Sequence, residues 1–196
     1  MAHKVETPDD WALVVAIRAG RRGAFRDLVR RYERQVAHLI YLALGNQEDV
    51  KDLSQEVFLR VYHAIPRLRP QRSLFSWIYR IASNVVIDET RRRKLRKAFS
   101  LEFLADDAGG AVLHDRTRDN PAEAVERIER HEIVRAALQH LGADHRLVLL
   151  LREYEDLTYE EIADILRISV PAVKSRLYRA RTEMKALVTP LLGERP

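Results

Sequence analysis

Apolar residues recur every three or four positions along most of the chain, and this spacing predicts amphipathic helices rather than strands. The first half reads as four helices. They are predicted from Thr7-Pro8 to Ala19, from about Ala24 to Leu44, from about Gln47 to Ile65, and from Ser73 into the basic run 91–94. Gly45-Asn46 is the predicted break between the second and third of these.

The helical pattern fails between about residues 98 and 119, where Gly109-Gly110 and several aspartates indicate a linker. Asn120-Pro121 then has the form of a helix start, and further helices are predicted at about 121–140, 144–154, 159–166 and 170–188. The predicted fold is therefore all-α. Two small helical domains, 1–97 and 121–196, are joined by a flexible acidic linker, 98–120.

The composition of the chain favours some classes of fold and excludes some classes of site. Charged residues make up 32% of the chain and aromatic residues 7%, which favours amphipathic helices over β-sandwiches. The net charge is +5, and the basic residues cluster in 91–97 and 174–185. The chain has no cysteine, which excludes disulfides and cysteine-based zinc sites. Without a signal-peptide pattern or an apolar run long enough to span a bilayer, we expect a cytoplasmic protein that does not insert into membranes.

The last two helices have the spacing of a helix-turn-helix. Thr158 and Glu161 form a predicted capping box, and Arg167-Ile168-Ser169 form the turn. Arg167 stands where glycine is common, and a positive φ there costs on the order of 1 kcal/mol. In the final helix, Val173, Leu177, Ala180 and Met184 form the predicted buried stripe.

The opposite face of that final helix carries small, polar and cationic groups. It comprises Pro171, Ser175, Tyr178, Arg179 and Thr182, flanked by Lys174 and Arg176. Such a face suits the major groove of DNA, where arginine can pair with guanine and lysine can neutralise phosphates. The alternative is a helical hairpin with a solvated basic face.

The fourth helix carries a second candidate surface. Trp77, Arg80, Asn84, Asp88 and Arg91 occupy an arc of about 80° that lies away from the apolar arc. An aromatic ring, an amide and cations together suit single-stranded DNA, and the preceding loop 67–72 adds arginines and a leucine. The alternative is that Trp77 packs against a neighbouring helix and the other residues are ordinary surface.

The third helix is acidic. Glu48, Asp49 and Asp52 lie in its first turns, where the helix dipole favours carboxylates, and Glu56 follows. One exposed helix gives no enclosed site for catalysis, so a protein-docking face is the better interpretation.

Three ordered motifs together resemble a known family. Residues 49–58 resemble the "EDLxQEVF" helix of the sigma-seventy family. Residues 75–84, with Ile87-Asp88 and 91–93, resemble its minus-ten helix, and residues 157–163 through 173–181 resemble its minus-thirty-five reader. The resemblance is to the short extracytoplasmic-function group, in which a region 2 bundle precedes a region 4 helix-turn-helix.

The resemblance assigns roles to residues. Contacts with core RNA polymerase are expected from Asp49, Asp52, Leu53, Gln55, Glu56 and Phe58. Contacts with minus-ten DNA are expected from Leu68, Arg72, Trp77, Arg80, Asn84, Asp88 and Arg91. Contacts with minus-thirty-five DNA are expected from Pro171, Lys174, Ser175, Arg176 and Arg179.

The resemblance also implies partners. They are core RNA polymerase (its β′ clamp helices and β flap), promoter DNA both as duplex and as melted single strand, and an anti-sigma factor. No cofactor, metal ion or catalytic residue is expected, and polymerisation would belong to the core enzyme. The chain itself is then not an enzyme.

Two other classes of protein share part of this pattern. A stand-alone transcriptional regulator would use the helix-turn-helix but leaves the acidic helix and the Trp77–Arg91 stripe unexplained. A helical adaptor or metal-binding protein would rely on His131, His140 and His145, whose spacing is too irregular for one helical face.

Overall fold

The computed structural model describes residues 9–69, 73–99 and 132–193, and every regular element within these ranges is helical. The elements are α1 (Asp9–Arg18), α2 (Ala24–Leu44), α3 (Gln47–Ala64), a short 3-10 turn (Ile65–Arg67), α4 (Leu74–Phe99), α5 (described at 132–140), α6 (Ala143–Glu153), α7 (Tyr159–Leu166) and α8 (Val170–Gly193). The all-α prediction is confirmed. Arg72 and residues 100–131, which hold most of the predicted linker, lie outside the described residues.

A single two-residue turn ends α2 and starts α3. Gly45 has a left-handed φ of 74°, and its N–H donates to the carbonyl of Tyr41 at 2.8 Å. The next residue, Asn46, caps α3 by accepting a hydrogen bond from the N–H of Glu48 at 3.0 Å. The predicted break at Gly45-Asn46 therefore lies where the sequence placed it.

We expect Gly45→Ala to lower the free energy of unfolding by about 1–2 kcal/mol, because a left-handed φ strains any residue with a Cβ. A Cβ there would also lie 2.7 Å from Cδ of Gln139, so that side chain must move. Gly20→Ala is a matched control, since Gly20 has a φ of 72° and no atom within 4 Å of an added Cβ. Urea denaturation measures both losses. Equal losses would mean that the Gln139 contact contributes nothing.

The first half of the chain is a helical bundle around a core from α2, α3 and α4. Buried apolar side chains follow the predicted spacing, and they include Leu28, Tyr32, Val36, Leu39 and Ile40 of α2, Leu53, Val57 and Val61 of α3, and Leu74, Ile78, Ala82 and Val85 of α4. From α1, Arg18 donates to the carbonyls of Ile65 and Leu68. These bonds fix the start of the loop that leads into α4.

The helix-turn-helix has the predicted local geometry. The Thr158 hydroxyl accepts from the N–H of Glu161 at 3.2 Å, and the Glu161 carboxylate accepts from the N–H of Thr158 at 2.8 Å. Arg167 adopts a left-handed φ of 54° in the turn. The Ser169 hydroxyl then accepts from the N–H of Ala172 at the start of α8. The capping hydrogen bonds of this motif all join residues three positions apart, so neighbouring residues determine its local geometry.

The two halves of the chain share one continuous core. α4 packs against α2 and α3 on one side and against α6 and α7 on the other, and α6 also contacts α2. The described ranges contain no helix long and apolar enough to cross a membrane. The boundaries at residues 97 and 121 remain predictions, although α4 continues to Phe99.

Candidate nucleic-acid and partner interfaces

The predicted docking residues of α3 lie in different environments. Asp52 and Gln55 are exposed, whereas Leu53 and Phe58 face the core. A direct contact with a partner through the Leu53 side chain would need a change in packing, because only 7% of that residue is exposed.

The other two predicted acids of α3 are engaged by arginines. Arg93 of α4 forms an ion pair with Asp49, and Arg60 forms one with Glu56 at 2.5 Å. Of the three acids assigned to this surface, Asp52 is the one that the structure leaves exposed. Its charge is the one most accessible to a cationic partner.

An apolar groove of about 770 Å³ runs between α2 and α3 beside these residues. Its lining includes Phe25, Val29, Ala37 and Tyr41 from α2 and Val50, Gln55, Phe58 and Leu59 from α3. Gln55 and Phe58 were predicted docking residues, but the contribution of α2 was missed. The signal for it was the apolar pair Phe25 and Val29, spaced four residues apart on a helix.

Leu68 and Trp77 line one pocket at the start of α4. Its volume is about 670 Å³, and Arg60, His63, Ala64, Arg67 and Arg69 complete the lining. An apolar floor with a basic rim is suited to a nucleotide, whose base needs apolar contact and whose phosphate needs cations. Arg67 and Arg69 belong to the loop 67–72, whose arginines were expected to supply cations here, whereas His63 was not predicted.

The predicted stripe along α4 is not uniformly exposed, and for Trp77 the structure supports the alternative that it packs against neighbouring helices. Trp77 is 8% exposed and Arg80 is half-buried, while Asn84 and Arg91 are exposed. Asp88 pairs with Arg60 of α3 at 3.3 Å. The reason is that α4 packs against α2 and α3 and also against α6 and α7, so little of its first turns is exposed to solvent.

Arg80 is engaged by the second half of the chain. Its Nη2 lies 2.7 Å from a carboxylate oxygen of Asp164, and its Nε donates to the carbonyl of the same residue at 3.2 Å. Asp164 belongs to α7, the first helix of the helix-turn-helix. In this arrangement the guanidinium of Arg80 faces protein rather than solvent.

The outer face of α8 matches the predicted DNA-reading surface. Pro171, Lys174, Ser175 and Arg179 are exposed near the start of the helix. The ammonium of Lys174 lies 5.9 Å from the ring centre of Tyr159, which holds it at the edge of this face. Helix-borne cations and a hydroxyl on one convex surface can enter a major groove.

Two arginines beside this face are paired with acids of α6. Arg176, a predicted DNA contact, lies 3.5 Å from a carboxylate oxygen of Asp144. Arg181 lies 2.7 Å from Glu153, and hydrogen bonding to that carboxylate raises the pKa of Arg181. Arg176 must leave Asp144 or contact DNA with its remaining N–H groups.

In the ranges that the structure covers, no three His, Asp or Glu side chains converge in a group that could hold a metal ion. His140 and His145 are on different helices, and His145 lies 3.1 Å from Glu183 of α8. His131 lies outside the described residues.

Two family descriptions match the chain. Residues 28–96 match "Sigma-70 region 2" and residues 131–184 match "Sigma-70, region 4". The first range contains the groove lining except Phe25 and all but the last three residues of α4, and the second contains the helix-turn-helix.

Characterised relatives match over nearly the full length. The RNA polymerase sigma-H factor of Pseudomonas aeruginosa is 33% identical over 189 residues, covering 94% of this chain and 96% of that protein. The ECF RNA polymerase sigma-E factor of Escherichia coli K12 is 34% identical over 189 residues, covering 93% and 96%.

Solved structures agree on the arrangement of helices. CnrH in complex with the cytosolic domain of CnrY has a TM-score of 0.65 and 25% identity, covering 92% of this chain and 97% of that chain. The sigma factor RpoE of Bartonella quintana, solved with the anti-sigma factor NepR, has a TM-score of 0.63 over 88% of this chain and 99% of that chain. At 18% identity, this second likeness concerns the fold alone. With both sigma regions matched in order and near-complete alignment to curated relatives, the chain belongs to the extracytoplasmic-function sigma factors of the sigma-70 family.

Proposed function

We propose that this chain directs promoter-specific transcription initiation by binding core RNA polymerase through α2 and α3 and by contacting promoter DNA through α4 and α8. The observation that carries the proposal is the coexistence of three surfaces on one chain. They are the apolar groove beside Asp52, the basic pocket around Leu68 and Trp77, and the exposed face of α8. Each serves a different binding event.

The groove supports docking of a helical partner. Its walls are the apolar side chains of two adjacent helices, and Leu59 at its edge is 59% exposed. An amphipathic helix can place apolar side chains into such a groove while its charged side chains meet Asp52 and Gln55. The β′ clamp helices of core polymerase are the occupant that we propose.

The pocket at Leu68 supports capture of an unstacked base. Trp77 and Leu68 supply apolar contact, and Arg60, Arg67 and Arg69 supply cations for the adjoining phosphates. Holding a displaced base offsets the few kcal/mol that unstacking costs, so the open state of the promoter is stabilised. Asn84 and Arg91, exposed further along α4, extend this surface.

The second half supports duplex recognition. α8 presents Ser175 and Arg179 outward from a core formed by Val173, Leu177 and Ala180. Arg179 can read a guanine through two hydrogen bonds, and Lys174 can neutralise a phosphate. We therefore assign upstream recognition to α8 and contact with the melted region to α4.

Catalysis of polymerisation then belongs to core polymerase, and this chain acts as its DNA-recognition subunit in the cytoplasm. An anti-sigma factor is a further proposed partner, and the structure of CnrH in complex with the cytosolic domain of CnrY supports a protein partner of this kind.

Run-off transcription with core polymerase tests the proposal. We expect initiation at defined promoters only when the chain is added. The stand-alone regulator instead predicts tight binding of duplex operators by the chain alone and no effect on initiation by core polymerase. The groove and the basic pocket favour the sigma factor.

Asp52→Ala is expected to weaken the affinity for core polymerase about two- to fivefold, because an exposed interface charge contributes about 0.5–1 kcal/mol. Titration of labelled protein with core polymerase at two salt concentrations measures the loss, which should shrink at high salt. Glu160→Ala, which removes an exposed acid from α7, is the control. Equal affinities for the Asp52 variant and the wild type would exclude this residue from the docking surface.

A further inference from the structure

The last residue of α1 holds one wall of the pocket at the start of α4. Nε and Nη2 of Arg18 donate to the carbonyl of Ile65 at 3.1 and 3.0 Å, and Nη2 also donates to the carbonyl of Leu68. These two residues begin and follow the 3-10 turn Ile65–Arg67, whose own hydrogen bond joins the N–H of Leu68 to the carbonyl of Ile65 at 3.1 Å. One guanidinium therefore binds both ends of the turn.

The turn lacks some of the hydrogen bonds that fix a regular helix. Pro66 has no N–H to donate. Leu68 is extended, with φ −65° and ψ 120°, so its carbonyl no longer follows the helical path. A guanidinium suits this place because it presents several N–H groups in fixed directions, whereas an ammonium is a single point of charge. Arg18 thereby limits how far the two carbonyls can move apart.

α1 is itself held in place at both ends. Asp10, at its start, is 6% exposed and accepts hydrogen bonds from Arg31 and from the hydroxyl of Tyr32, both on α2. Past its end, Gly20 has a left-handed φ of 72°, which terminates the helix. Because α1 is anchored on α2, the position of Arg18 does not depend on the turn that it binds.

The bound turn determines which side chains enter the pocket. Leu68 is 6% exposed and lines the pocket with Trp77, whereas its neighbours Arg67 and Arg69 are exposed at the rim. Rotation of this short segment would replace an apolar side chain by a charged one at the place where a base must pack. Among the described residues that line the pocket, Arg18 is absent. Its effect on a base must therefore pass through the turn.

We propose that Arg18 is a positioning residue for base capture and that α1 is the brace that holds it. Arg18 keeps Leu68 turned into the pocket and Arg67 and Arg69 at its rim, without contacting DNA itself. This inference rests on the base capture proposed above for the pocket. α1 lies outside the range 28–96 that matches the region 2 description, so that match assigns it no part in DNA binding.

Fluorescence of Trp77 tests the brace without DNA. The chain has two tryptophans, so Trp11→Phe leaves Trp77 as the only one. In this background we expect Arg18→Ala to raise the acrylamide quenching constant of Trp77 about twofold, because the released turn opens the pocket more often. The control is Arg22→Ala, which removes the same charge from an exposed residue four positions further along and should leave quenching unchanged. Equal quenching in the two variants would overturn the brace.

Binding of single-stranded DNA by the complex with core polymerase tests the positioning role. The probe is a labelled oligonucleotide with the minus-ten strand of a promoter that the chain uses, and an abasic site replaces each base in turn. For the wild type, the abasic site that weakens binding most identifies the captured base. We expect Arg18→Ala to bind the intact oligonucleotide about five- to tenfold more weakly than the wild type, as when stacking on one base is lost, and to bind that abasic oligonucleotide within about twofold of the wild type.

A third variant separates positioning from charge. Arg18→Lys keeps the charge but not the planar set of N–H groups, so we expect it to recover only part of the affinity for the intact oligonucleotide. Suppose instead that Arg18→Ala weakened the intact and abasic oligonucleotides equally, that the loss shrank at high salt, and that Arg18→Lys recovered it fully. Arg18 would then be a phosphate contact, and the positioning role would be refuted.

Failure of the proposed function would give a different result. No abasic site would then weaken binding by the wild-type complex, and no promoter-dependent transcription would be observed, while the change in Trp77 quenching stood. If the wild type did discriminate against one abasic site and Arg18→Ala discriminated equally well, base capture would stand and the role of Arg18 would be excluded.

Discussion

Replacing Trp77 with alanine is expected to lower the free energy of unfolding by about 3–5 kcal/mol, the usual cost of emptying a buried tryptophan site. Trp77 is 8% exposed and lines the pocket with Leu68 and Ala64, so no neighbour can fill the space without repacking. For a chain of this length, each kcal/mol corresponds to about 2–4 °C in melting temperature. Thermal denaturation followed by circular dichroism measures the loss.

A second variant separates packing from DNA binding at the same position. Trp77→Phe keeps most of the apolar contact and should cost much less stability, but it presents a smaller ring to a base. We expect it to initiate poorly on duplex promoters and normally on templates whose minus-ten region is already unpaired. A variant that is stable and fully active on duplex promoters would assign Trp77 to packing alone.

Arg179→Ala is expected to reduce discrimination at one base pair of the upstream element by about 1–3 kcal/mol, or roughly five- to 160-fold. The reason is that Arg179 is exposed on the outer face of α8, where its guanidinium can form two hydrogen bonds with a guanine. Competitive run-off transcription between the preferred promoter and single-base variants measures this loss. Arg22→Ala removes an equal charge from the loop before α2 and serves as the control.

The pattern of the loss distinguishes two roles for Arg179. If it reads a base, the variant should become indifferent at one position and keep its preferences elsewhere. A uniform loss across all promoter sequences, with a smaller dependence on salt, would instead identify a phosphate contact.

Local features of the fold were predictable because the residues that determine them are neighbours in the sequence. The capping box at Thr158 and Glu161 and the turn at Gly45-Asn46 depend on hydrogen bonds that span a few residues. A turn at residues 167–169 was expected from the spacing of the two helices on either side, and the left-handed φ of Arg167 is found where glycine is common in such turns. The exposed face of α8 followed from its helical period in the same way.

The environment of α4 was not predictable, because it depends on residues far along the chain. Arg80 and Asp164 are 84 positions apart, and Tyr79 and Glu155 are 76 apart. A helical wheel shows which residues share a face of one helix but not which other helix covers that face. For this reason the sequence left open whether Trp77 packs against another helix, as the structure shows, and did not predict that Arg80 is covered.

The sequence does not predict the burial of Arg146, which is 8% exposed and donates to the carbonyl of Ala43 at the end of α2. It sits between His145 and Leu147 in a helix that begins with polar residues, so the sequence suggests an ordinary surface arginine. Its burial arises because the end of α2 offers carbonyls at the same place. A hydrogen bond between a side chain and the end of a distant helix does not change the spacing of apolar residues in either segment, so the sequence pattern does not reveal it.

The turn at Gly45-Asn46 lies between the two helices that form the groove, and the carbonyls that hold Gln139 and Arg146 precede it directly. The groove lining includes Tyr41 and Gln47, so a ligand in the groove and the second domain both contact the short segment 41–47. If binding of a ligand in the groove changes the angle between α2 and α3, then ligand binding and docking of the second domain are linked by a coupling free energy. Such coupling is reciprocal, so whatever loosens the second domain must change the affinity of the groove by the same factor.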